Sequence, residues 1–167
     1  MNHSQKLRQD RLIYYEGEIR GIEAVLKELL KLSGAKCALL VDKEGHMVAR
    51  TGDARTFDVD TISALVAGCF GATREMARLL GEEEFAIMFH QGQRDNIQLS
   101  LVGERTILTV IFDDQTTIGM IRLYASEATR KLVELFEKID GTERPDNVGV
   151  ADDYDTTGKA RLDALFR

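Results

Sequence analysis

The sequence predicts an α+β domain ordered helix, two strands, helix, three strands, helix. Its five strands form one antiparallel sheet, with two helices on one face and the central helix on the other. Three observations lead there. Residues 58–81 repeat apolar side chains at helical spacing. Residues 36–51 and 85–112 break into short apolar runs separated by glycine-containing turns. The last of these runs, RTILTVIF, is apolar almost throughout and needs cover on both faces.

The elements follow in order. Residues 1–11 are polar, carry Lys6, Arg8 and Arg11, and read as a flexible arm. Residues 12–33 form a helix with Ile19, Ile22, Leu26, Leu29 and Leu30 on one face, ended by Gly34. KCALLVD (36–42) and MVART (47–51) are strands of a hairpin that turns through Lys43-Glu44-Gly45-His46. His46 sits at the tip and reads as an exposed turn residue. The central helix takes Asp58 or Asp60 as its cap and Gly81 as its stop. Its apolar stripe is Ile62, Leu65, Val66, Cys69, Thr73, Met76, Ala77 and Leu80, read as the core face.

A second stripe on that helix consists of Ala64, Ala67, Gly68, Gly71 and Ala72. Each glycine costs about 1 kcal/mol of helix stability relative to Ala. That cost makes sense where another surface must come close to the backbone. Phe85–His90, Ile97–Val102 and Arg105–Phe112 then form a meander of three strands. A third helix, capped by Thr116 or Thr117, runs to about Asp140. Residues 12–140 are one domain. Residues 141–167 are an acidic linker and a short amphipathic tail whose apolar side is Leu162, Leu165 and Phe166.

Composition narrows the function. At 167 residues the chain is long enough for one ordinary domain. Apolar residues are 44% and charged residues 30%, which suits a folded protein rather than a disordered one. A net charge of −6 argues against nucleic-acid binding, which needs a basic footprint. No apolar run approaches the roughly 20 residues needed to cross a bilayer. The first residues, MNHSQKLRQDRLIYY, lack the apolar core of a signal peptide. The chain is expected in the cytoplasm, without membrane insertion. Cys37 and Cys69 read as small buried hydrophobes. None of His3, His46 and His90 is paired at metal-ligand spacing with a Cys, Asp or Glu cluster, so no metal site is expected. There is no nucleophile–base pair and no phosphate-cradling glycine loop after a strand, so neither a catalytic site nor a cofactor is expected.

The layering implies a partner. The first and last helices pack on one face, which leaves the central helix alone on the other. One helix cannot cover five strands, and a second copy would supply another. Phe85–His90 reads as an apolar edge strand, a pairing hazard unless it is used. Pairing it with its twin through Phe85, Ile87 and Phe89 would extend the sheet across a two-fold axis. A homodimer is therefore expected.

Three segments carry a family resemblance: LLVDKEGHMVA in the hairpin, LVAGCFGATREMARLLGEEEF in the central helix, and FHQGQRDNIQLSLVGERTILTVIFDDQTTIGMIRL from the meander into the third helix. Together they resemble the Roadblock/dynein light chain family over about residues 12–140, and the tail, ending in LDALFR, does so loosely. The resemblance implies an αββαβββα Roadblock-type sandwich, a homodimer with a continuous sheet, and paired central helices that bind a Ras-like small GTPase of the MglA type. It implies an activator of GTP hydrolysis in cell polarity and gliding motility, acting by remodelling the GTPase rather than by inserting an arginine. The GTPase contacts would be Ala64, Ala67, Gly68, Gly71, Ala72 and Glu75, with Leu162, Leu165 and Phe166 as a second contact. Arg74 and Arg78 are the candidates for an inserted arginine, or else pair with Glu75 and nearby acids. The alternative is a scaffold subunit that binds a GTPase or another protein complex without activating it.

Overall fold

A computed structural model describes residues 16–141 of the chain; the arm at 1–11 and the tail residues Leu162, Leu165 and Phe166 lie outside the described residues. The elements are α1 (Glu16–Ser33), β1 (Cys37–Asp42), β2 (Met47–Gly52), α2 (Val59–Leu80), β3 (Ile87–Gln91), β4 (Asn96–Val102), β5 (Thr106–Phe112) and α3 (Ile118–Gly141). This is the predicted order. The five strands make one sheet, β2-β1-β5-β4-β3, with every neighbouring pair antiparallel.

β5 lies at the centre and all seven of its residues are buried, as its unbroken apolar run requires. Its alternate residues divide between two cores. Leu108, Val110 and Phe112 join Ala38 and Leu40 of β1 against α1 and α3. Ile107 and Ile111 face the other way, with Leu39, Val41 and Leu99, toward α2. α1 contributes Ile22, Leu26 and Leu29, and α3 contributes Ile121, Ala125, Ala128 and Leu132, each set at helical spacing. The two helices run antiparallel and close together. A Cβ at Gly21 would already stand 3.4 Å from Leu135, and Lys131 bridges to Glu28 at 2.7 Å. Thr117, rather than Thr116, caps α3 by accepting from the Met120 amide, while Thr116 donates to the Ser33 carbonyl and ties the end of α1 to the start of α3.

Gly52 shows where the backbone leaves no room for a side chain. It has φ +92°, and a Cβ there would run into the Lys36 carbonyl and Leu30.

One expectation changes. The core face of α2 is Val59, Ser63, Val66, Phe70 and Ala77. Of the predicted stripe, Val66 and Ala77 are buried and Ile62, Cys69 and Thr73 are half-buried. Leu65, Met76 and Leu80 are exposed, at 67%, 52% and 73%. Phe70 fills the position over Leu99 and Ile107 that the prediction gave to its neighbours. Helical periodicity locates an apolar stripe but does not say whether that stripe meets this chain or another surface. β3 also starts two residues later than expected, at Ile87, so Phe85 precedes the strand and is half-buried.

Candidate partner-binding surface

α2 is fixed at both ends. Asp58 is the cap: its carboxylate accepts from the Asp60 and Thr61 amides at 3.0 and 3.3 Å and from the Thr61 hydroxyl at 2.7 Å. The Thr61 hydrogen bonds, followed by that from the Asp60 amide, hold its carboxyl below the usual range. Gly81 ends the helix, its amide donating to the Arg78 carbonyl.

The outward side of α2 has two unlike flanks. One carries Leu65, Cys69 and Met76 at helical spacing, and it faces β3. Cys69 Sγ lies 3.9 Å from His90 Nε2 on that strand, and Met88 packs beneath, against the Val66–Phe70 cluster. Leu79 and Leu80, exposed at 81% and 73%, follow at the end of the helix. β3 is the outermost strand, so one of its edges has no neighbour in the sheet. Ile87 and Phe89 point to the opposite face from Met88. Phe89 stacks on Phe112, with ring centroids 6.0 Å apart, and Ile87 is 54% exposed. Apolar side chains therefore stand exposed on both faces beside one open strand edge.

The other flank meets the hairpin. A Cβ on Gly45 would stand 3.0 Å from Ala64 Cα and 3.6 Å from Ala67 Cβ. Asp42 shapes this turn by accepting from the Glu44 and His46 amides at 3.0 and 2.8 Å. Ala64 and Ala67 are thus small for an internal reason. Gly68 and Gly71 are different: a Cβ on either would meet nothing within 4 Å. Ala72 and Glu75 are exposed with them. The small-residue stripe therefore divides into a part that the hairpin touches, with Ala64 still exposed, and a part that meets nothing else among the described residues.

Arg74, Arg78 and Lys43 on this side are held in ion pairs. Arg74 meets Glu84 at 3.3 Å, and Lys43 meets the same carboxylate oxygen at 3.1 Å. Burial opposes the charge on Glu84, but its hydrogen bonds to Lys43 and Arg74 outweigh it, and its pKa falls below the ordinary value. Glu84 thereby links the hairpin, α2 and the approach to β3. Arg78 meets Glu75 at 2.8 Å. The sequence signals the second pair by its spacing of three, but Glu84 reads there only as part of a solvated run.

Asp42, Glu44 and His46 bring one ligand atom each to within 4.8 Å of one another. Alternate spacing across a turn hid this group from the sequence. Asp42 is the most committed of the three, since its Oδ1 already serves two amides.

Comparison with known proteins decides the family. A Roadblock/LC7 domain model matches residues 21–112, from α1 through β5. The chain belongs to the Roadblock/LC7 family. Among solved structures, this Roadblock/LC7 chain is similar to MglB of Myxococcus xanthus, at 36% identity and a TM-score of 0.73, over 80% of this chain and 99% of that one. It is also similar to the gliding protein MglB of Thermus thermophilus, at 32% identity and a TM-score of 0.70, over 75% of this chain and 96% of that one. A third structure, MglB in a tetrameric arrangement, matches at 31% identity and a TM-score of 0.70, over 75% and 95% of the two chains. Among the described residues no helix is long and apolar enough to cross a membrane.

Proposed function

We propose that this chain is a homodimeric regulator of a Ras-like small GTPase of the MglA type, and that it stimulates GTP hydrolysis by remodelling that GTPase. The observation that carries the proposal is the open side of α2. Gly68 and Gly71 each forgo a side chain with nothing among the described residues to demand it, while Leu65, Met76, Leu79 and Leu80 stand exposed around them. Such residues cost helix stability and solubility unless another surface uses them. The likeness to MglB, a gliding protein in Thermus thermophilus, supports a role in polarity and motility control.

Two surfaces are distinguished. The second copy takes the Leu65–Met76 flank and the free edge of β3, with Ile87 and Phe89 on the far side. The GTPase takes the open crest around Gly68, Gly71, Ala72 and Glu75, beside the hairpin that rests on Ala64 and Ala67. The tail residues Leu162, Leu165 and Phe166 make the second contact. Arg74 and Arg78 supply no catalytic charge, since each is committed to a carboxylate. An activator that works by positioning needs none, because phosphoryl transfer is catalysed mainly by positioning and charge stabilisation within the GTPase.

The test is Gly71→Arg, read by titrating a GTP-loaded GTPase of this type in a calorimeter. The variant keeps its fold and its dimer, because the added side chain enters open space, and it loses GTPase binding. Undiminished binding would remove the crest from the interface.

A further inference from the structure

Nine large apolar side chains are exposed among the described residues, and six of them lie on α2 and β3. The remaining three, Leu32, Met120 and Leu123, all lie on the outer layer formed by α1 and α3. Leu32 stands at the corner where Thr116 ties the start of α3 to Ser33 at the end of α1, and Met120 and Leu123 lie in the first two turns of α3. A shallow groove runs from this corner along the seam of the two helices, lined by Val25, Leu29, Leu32 and Tyr124, with Glu28 and Glu127 on its rim. Both rim carboxylates share one cation, Lys131, at 2.7 and 3.2 Å, and its hydrogen bond to Glu28, ahead of that to Glu127, raises its pKa. The rim is left with one net negative charge. This seam lies on the outer layer of α1 and α3, and its lining includes none of the residues assigned above to the dimer or the GTPase.

We infer that the seam is the docking site of the chain's own tail, residues 158–167. Three features of the tail match it. Leu162, Leu165 and Phe166 fall at i, i+3 and i+4, the anchor spacing of an amphipathic helix laid in a groove. Lys159 and Arg161 stand at the start of the tail and complement the net charge of the Glu28–Glu127 rim. The reach also agrees. From Tyr124 to Gly141, α3 runs about 26 Å at 1.5 Å per residue. Residues 142–157, which separate Gly141 from the tail, can span at most about 53 Å at 3.3 Å per residue, more than that distance. Because groove and tail belong to one chain, docking is intramolecular and needs less intrinsic affinity than binding of a separate partner. A tail too short to hold a helix alone thus needs only a weak groove. Docked there, Leu162, Leu165 and Phe166 are withheld from the GTPase, so the second contact becomes available only on release.

The experiment places a photocrosslinker in the full chain, Phe166→p-benzoylphenylalanine, with no GTPase present. The expected product has the mass of one chain, with the crosslink in peptides from residues 22–33 or 118–131. Leu32→Asp, at a groove-lining position that is 41% exposed, lowers its yield at least about tenfold, in line with the loss of an apolar anchor to a charge. Crosslinks that avoid the seam, that join two chains only, or that persist in Leu32→Asp overturn the inference. Because no GTPase is needed, these outcomes leave the proposed function untouched, and a failure to bind the GTPase leaves this inference untouched.

Discussion

The two faces of the sheet carry similar strands and opposite kinds of helix. On one face, α1 and α3 seal a single continuous core from Ile22 to Leu132. On the other, α2 alone covers two smaller clusters, around Val59 and around Phe70, and turns Leu65, Met76, Leu79 and Leu80 outward. Two helices can close a face of five strands and one cannot. The difference separates residues that stabilise the monomer from residues that are kept for other surfaces. It also separates glycines by purpose. Gly52 is demanded by its own chain, whereas nothing among the described residues demands Gly68 or Gly71.

The comparison breaks most visibly at the sealed core. Leu132→Ala, on the α1–α3 face, costs about 2–5 kcal/mol of stability, while Leu65→Ala, on the exposed flank of α2, changes monomer stability by no more than about 0.5 kcal/mol. Urea unfolding under conditions that keep both variants monomeric measures the contrast, and equal losses would mean that the α2 flank is part of the core. The next effect is on assembly. Leu65→Asp combined with Ile87→Lys places charge beside the β3 edge on both faces, and light scattering at equal concentration should show the particle mass halved with the circular dichroism unchanged.

A smaller effect sharpens the division of labour on α2. Arg74→Ala in the assembled regulator should change stimulated GTP hydrolysis by no more than about threefold. Removal of an inserted arginine would cost about 10³-fold or more, so single-turnover rates separate the two roles. The smallest effect belongs to the helix cap. The Asp58 carboxyl titrates lower in the folded chain than its unfolded value of about 3.9. Its stabilisation is therefore fully present above that value and is lost as the pH falls through the lower folded one. Asp58→Asn keeps a capping acceptor and should flatten the acid limb of the thermal melting curve below about pH 4, with little change at neutral pH.

Much of the fold was legible because strong local signals agreed. The unbroken run in β5 and the Gly81 stop each had one reading. The face of α2 was harder to read. Leu65, Met76 and Leu80 repeat at helical spacing as faithfully as Val66 and Ala77, and hydrophobicity alone does not distinguish an apolar residue for the core from one for a partner. The small-residue stripe was visible, but its division was not. That Gly45 rests on Ala64 depends on where the hairpin folds back, a contact between residues distant in sequence. The link from Glu84 to Lys43 and Arg74 is hidden for the same reason.

The most direct measurement is phosphate release by a GTP-loaded Ras-like GTPase of the MglA type, with and without saturating amounts of this chain. Regulation by remodelling predicts at least about tenfold faster release, retained in Arg74→Ala and lost in Gly71→Arg. Tight binding with no change in rate would contradict activation and leave a scaffold, and no binding at all would contradict the choice of partner.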